Sequence, residues 1–99
     1  MTAYVIADIT VTNPEGYAPY RPLAGASVAQ YGGRFLARGG AVETLEGGWN
    51  PARVVIIEFP SMDVARKWYH SPEYQDALRI RLANSTGRVI LTEGAPPAA

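Results

Sequence analysis

The 99-residue chain contains no cysteine, which removes disulfides, thiolate catalysis and cysteine-based zinc sites from consideration. Histidine occurs once, as His70, so a histidine cluster for metal binding is absent and a catalytic triad has little to draw on. No charge of one sign dominates: nine Lys and Arg stand against nine Asp and Glu. That balance gives no electrostatic footprint for nucleic acid or an anionic membrane. No apolar run approaches the ~18 residues of a membrane span, and no basic-then-apolar leader precedes the first strand. A cytoplasmic protein without nucleic-acid or membrane partners is expected. The 47% hydrophobic content is enough for one core, in a domain over residues 1–93 followed by a flexible tail at 94–99.

The segment that organises the rest runs from Arg53 to Gln75. Val54-Val-Ile-Ile-Glu-Phe59 reads as a strand apolar on both faces, interrupted by one acid, Glu58. Pro60 stops it, Ser61 offers an N-cap oxygen, and Asp63 sits in the first turn of a helix carrying Val64, Ala65, Trp68 and Tyr69. Ser71, Pro72 and Glu73 form a second start signal, bending the helix around His70.

Upstream, Ala3 to Val11 alternates with wholly apolar odd positions and mixed even positions: Tyr4, Ile6, Asp8 and Thr10. Asn13 and Pro14 start a helix in which Tyr17, Tyr20, Ala24, Val28 and Tyr31 share one face. Pro19 and Pro22 predict a break near Arg21, and Gly32 a left-handed C-terminus. A strand is expected over Arg34–Arg38, with a bulge or kink at Gly39-Gly40 and a continuation through Ala41–Leu45. Glu46 to Ala52 reads as a hairpin turn, Arg53–Phe59 as the returning strand and Arg88–Glu93 as the last, after paired helices that end near Asn84. The order strand, helix, strand, strand, helix, strand predicts a ferredoxin-like α+β sandwich. In it the first and third strands are expected to be central and parallel, with the helices on one face. The other face, with Tyr4, Ile6, Val54 and Ile56 or, in the other register, their odd-numbered counterparts, calls for a partner, and sheet-to-sheet pairing of two copies is the simplest answer.

Tyr31-Gly-Gly-Arg-Phe-Leu-Ala-Arg-Gly-Gly40, Glu43-Thr-Leu-Glu-Gly47 and the run from Glu58-Phe-Pro-Ser to Trp68-Tyr-His-Ser-Pro-Glu-Tyr-Gln75 resemble the domain of unknown function family 1330. The resemblance covers about residues 3 to 93 and places the chain in the dimeric α/β barrel superfamily. It implies a homodimer paired through its sheets, with a cleft between sheet and helices. Superfamily relatives include cofactor-independent monooxygenases, muconolactone isomerases and haem-handling enzymes, so the reaction stays open.

Three residues are candidates for chemistry. Glu58 is an acid in an apolar strand, with Arg38 as its expected partner; the two either anchor a carboxylate or enolate or form a buried ion pair at the dimer interface. His70 is the one side chain titrating near neutrality and is expected at the mouth of the main cavity; the alternative is a surface or capping role. Tyr17, Tyr20, Trp68, Tyr69 and Tyr74 line either a core or a cleft for a flat organic ligand. Arg79, Arg81 and Arg88 read as a solvated face. No cofactor and no metal are expected. Three functions remain: a cofactor-free enzyme for a small aromatic or enolisable metabolite, a non-catalytic binder using the same cleft, and a structural dimerisation module.

Overall fold

In a computed structural model that describes residues 1–96, the chain runs β1 (Ala3–Val11), α1 (Pro14–Tyr17), α2 (Tyr20–Gln30), β2 (Arg34–Arg38), β3 (Val54–Phe59), α3 (Met62–His70), α4 (Pro72–Asn84) and β4 (Ser85–Glu93). The strands form one sheet in the order β2-β3-β1-β4. Every neighbouring pair is antiparallel. The first and third strands are therefore central as expected, but not parallel. The reason is topological: the crossover through α1 and α2 returns β2 parallel to β1, and the link to β3 then reverses direction once more. With the helices on one face, this is the ferredoxin-like α+β arrangement.

Alternation along β1 decides which face the helices cover. Ala3, Val5, Ala7 and Ile9 are buried, while Tyr4, Ile6 and Asp8 are half-buried on the open face. Their partners on β3 keep the same division, with Tyr4 opposite Glu58, Ile6 opposite Ile56 and Asp8 opposite Val54.

Proline chemistry sets the helix boundaries. The Asn13 side chain accepts from the Gly16 amide and opens α1. The break falls at Ala18-Pro19, just before the expected site near Arg21, and Pro22 lies inside α2. It occupies the first turn, where a missing N–H leaves no helical bond unmade. Gly32 takes the expected left-handed conformation, with φ 72°.

Of the bulge or kink expected at Gly39-Gly40, the structure has the kink, at Gly39, while the bulge of the ladder lies earlier, between Phe35 and Ala37. Residues 41–45 do not continue β2: Gly39, with φ 76°, turns the chain away after its amide bonds the Val54 carbonyl at 3.0 Å. The link between β2 and β3 is thus an irregular loop over residues 39–53 rather than a turn confined to residues 46–52. The last strand starts three residues earlier than expected, since its ladder with β1 extends to the pair Val11 and Ser85. At the tail, the Gly94 amide still bonds the Thr2 carbonyl at 2.8 Å; Pro97 to Ala99 lie outside the described residues.

Trp68, 1% exposed, holds the layers together. Its ring packs on Phe59 of β3 (centroids 5.0 Å apart) and on Tyr74 of α4 (4.1 Å). Its indole N–H donates to the Ser27 hydroxyl at 3.0 Å, and Ser27 donates onward to the Ala24 carbonyl at 2.8 Å. The buried Trp68 N–H and Ser27 hydroxyl are thereby satisfied.

Ser71 makes the turn between α3 and α4. Its hydroxyl donates to the Trp68 carbonyl at 2.7 Å and accepts from the Tyr74 amide at 3.1 Å. It thus closes one helix and caps the next. Ser71→Ala should cost about 1–2 kcal/mol, measured by urea unfolding as a lower midpoint at an unchanged slope.

Candidate functional site

One inserted residue controls the site. On β3, Val55, Ile57 and Phe59 face the helices, whereas Val54, Ile56 and Glu58 face the open side. Arg34 pairs with Glu58 and Phe35 with Ile57, but after the bulge Ala37 pairs with Ile56 and Arg38 with Val55. Strict alternation would have put Arg34 and Arg38 on one face. The bulge instead sends Arg38 to the helix side.

The expected Arg38–Glu58 pair therefore does not form. Glu58 accepts from Arg34 Nε at 2.8 Å and from the Tyr4 hydroxyl at 3.3 Å, on the open face. The Arg38 guanidinium stacks 4.0 Å above the Phe35 ring and donates through Nη2 to the Arg21 carbonyl at 2.9 Å.

Between sheet and helices lies a narrow cleft with about 40 Å³ of free space, opening to solvent at its mouth. Val5, Ala7, Val55 and Ile57 form its floor, and Tyr17, Tyr20, Trp68 and Tyr74 its helix side. Its charge is one-sided. The sequence has eight arginines and one lysine. Arg34, Arg66, Arg79 and Arg88 each pair with an acid. The other four, Arg21, Arg38, Arg53 and Arg81, have no acidic partner among the described residues, and all four line the cleft. No Asp or Glu lines it.

These arginines grade in burial. Arg81 is 6% exposed, Arg53 is half-buried, and Arg21 and Arg38 are exposed at the mouth. Burial opposes the charge of Arg81, but the Tyr74 and Tyr20 oxygens beside it outweigh that and hold its pKa above the usual arginine value. Arg53 Nε is buried without a hydrogen-bond partner. At the inner end the Tyr20 and Tyr74 hydroxyls lie 2.8 Å apart. Burial, then the neighbouring Tyr74, pushes the Tyr20 phenol well above its ordinary value, so it stays protonated at neutral pH. One hydroxyl of the pair donates to the other, which leaves the acceptor's own proton free for a third atom. The cleft therefore offers cationic and neutral donors but no carboxylate or imidazole.

Five of the eight sequence candidates come together here: Arg38, Tyr17, Tyr20, Trp68 and Tyr74. Three do not. Glu58 faces the opposite side of the sheet. His70 is exposed and borders a separate shallow groove between α3 and β4, with Tyr69, rather than the mouth of the main cavity. The Tyr69 and His70 rings meet edge to face at 5.2 Å, and Tyr69, half-buried, packs on the Tyr74 ring at 5.5 Å without lining the cleft.

Arg21, Arg53 and Arg81 are the site residues the sequence reading missed. Arg81 is buried, not part of a solvated face, unlike the exposed Arg79 and Arg88. A signal for it existed: Tyr74, Ala77, Leu78 and Arg81 follow helical spacing and form the buried stripe of α4.

Tyr20 also carries a pH dependence. Its folded pKa lies above the unfolded value of 10.0, so the neutral form is the one the fold favours. That contribution is complete below pH 10 and is lost as pH rises beyond it. Unfolding free energy should therefore fall from pH 10 to 11.5, and Tyr20→Phe should flatten that fall. Denaturant unfolding across this range, on wild type and variant, checks it.

Comparison with known proteins follows the geometry. No functionally curated protein matches the chain. A protein of unknown function from Rhodopseudomonas palustris superposes with a TM-score of 0.78 at 21% identity, over 97% of this chain and 84% of that one. The cofactor-independent oxygenase SnoaB from Streptomyces nogalater gives a TM-score of 0.58 at 16% identity, over 96% and 93% of the two chains. A dimeric protein of unknown function with a ferredoxin-like fold, from Bacteroides fragilis, gives 0.56 at 14% identity, over 94% and 96%. At these identities the likeness is one of fold. The domain of unknown function family DUF1330 matches residues 2–95, so the chain belongs to that family.

Proposed function

We propose that this protein binds a small, flat organic anion, a carboxylate or an enolate, in the cleft between sheet and helices. The observation that carries the reading is that every arginine without an acidic partner lines this one cleft, and no acid joins them there. Unpaired cations beside low-dielectric walls favour an anion in their midst. The aromatic and aliphatic lining suits a planar apolar body.

The same donors would hold an enolate or phenolate oxygen, and the fold likeness to SnoaB keeps a cofactor-free enzyme for an aromatic or enolisable metabolite as the second reading. In that reading Arg38 and Arg81 polarise the substrate, with the spare phenol proton of the Tyr20–Tyr74 pair as a further donor. Neither Glu58 nor His70 is placed to take a proton from a molecule in the cleft. Catalysis would thus rest on electrostatic stabilisation, with proton removal left to solvent or to the substrate itself.

The working unit in this proposal is a homodimer paired through the open sheet face. That face presents Tyr4, Ile6, Val54 and Ile56, with Ile90 60% exposed beside them. A second copy is the occupant we favour, because it would cover this apolar surface with a like one, and because a similar fold is described as dimeric.

Two measurements test the proposal. Isothermal titration should show benzoate binding and benzamide failing to bind, with Arg81→Gln, in a preparation whose thermal melt shows it folded, weakening benzoate by roughly tenfold, the worth of a charge-assisted hydrogen bond. Equal binding of acid and amide refutes the anion site. Sedimentation should show a dimer at low micromolar concentration, converted to monomer or unfolded by Ile56→Asp, whose buried charge costs several kcal/mol. A well-folded wild-type monomer refutes the pairing.

A further inference from the structure

The four cleft arginines fall into two sets. Arg81 stands at the inner end, beside the Tyr20 and Tyr74 hydroxyls. Arg21, Arg38 and Arg53 stand at the mouth, where they also line the outer groove that runs past Gly25 and Gly39; Arg81 does not reach that groove. The floor between the sets is apolar, formed by Ala7, Val55 and Ile57 with Phe35 at the side.

A single carboxylate satisfies one end of such a cleft and leaves the other with unpaired cations. If it sits at the inner end, Arg53 Nε stays a buried donor without a partner at the mouth. If it sits at the mouth, Arg81 stays buried without an anion. We infer that the ligand is a dianion with an acidic group at each end of a planar apolar body, that is, an aromatic dicarboxylate. The inner carboxylate accepts from Arg81 and from the one phenol proton the tyrosine pair leaves free. The outer carboxylate accepts from Arg53 and Arg38, whose planar forks suit paired oxygens. This inference rests on the anion-binding reading and adds the second acidic group.

Isothermal titration of the wild type with benzene-1,4- and benzene-1,3-dicarboxylate, their monomethyl esters and benzoate tests it. At least one dicarboxylate should bind about tenfold or more tighter than its monoester and than benzoate, because the second carboxylate meets its own guanidinium partners. Arg53→Gln should reduce that dicarboxylate to the affinity of its monoester and leave the monoester within about twofold. Arg81→Gln should weaken both. Since Arg81 is buried and its variant risks misfolding, the Arg53 variant, half-buried at the mouth, keeps the test decisive. Arg79→Gln removes the same charge from the outside of α4 and should change neither ligand. Equal affinities for diacid, monoester and benzoate overturn the dianion while leaving the anion site intact. An Arg53 variant that keeps the full dicarboxylate advantage also overturns it. Failure of every anion to bind overturns both readings together.

Discussion

The Trp68 side chain is the contact on which the arrangement depends. It touches the sheet through Phe59, α4 through Tyr74 and α2 through Ser27, so three elements share one rigid joint. Interiors pack too tightly for one of these neighbours to move alone. The height of the helices above the sheet, and with it the depth of the cleft, follows from the size of this indole. Ser71 fixes the joint in sequence, because its hydroxyl ends α3 on the Trp68 carbonyl and starts α4 at Tyr74. The wall and the anchor of the cleft are thus set by the same few residues.

Electrostatics separates the two sides of the sheet. On the open side charges are matched: Arg34 meets Glu58, Arg88 lies 3.9 Å from Asp8, and the Trp49 indole donates to Asp8 at 3.1 Å. Such pairs, one partner mostly exposed, add little stability but leave no charge uncompensated. On the helix side the cations are unmatched. An uncompensated buried charge costs stability, and a fold keeps one more readily where something else supplies the counter-charge. Binding of an anion would return that cost as stabilisation of the folded state.

The phenol pair adds direction to this field. Arginine alone attracts any anion, but Tyr20 and Tyr74 together present one free proton at a defined point beside Arg81. A planar group reaching the inner end meets a cation and a neutral donor at once. The aromatic edges of Tyr17 and Tyr20, with ring centroids 5.2 Å apart, close the helix side above it.

Local sequence determined the order of elements, the caps at Asn13, Ser61 and Ser71, and the two-faced alternation of β1, while the packing decided which of those faces meets the helices. Each depends on neighbours within about four residues, where proline, hydroxyl caps and alternation act directly. It also marked Tyr17, Tyr20, Trp68, Tyr69 and Tyr74 as one aromatic set, of which the cleft takes all but Tyr69. Tertiary structure decided the rest. The bulge at Leu36 has no local signature as clear as the Gly39-Gly40 pair beside it, yet it is the bulge that turns Arg38 from Glu58 to the cleft. Arg81 lay on the buried stripe of its helix, but an arginine is so seldom buried that only the packing of α2 against α4 shows it to be so. Arg21, Arg38, Arg53 and Arg81 come from a helix, a strand, a loop and another helix, separated by up to 60 residues. No spacing rule links them, and only the closed fold brings them to one cleft.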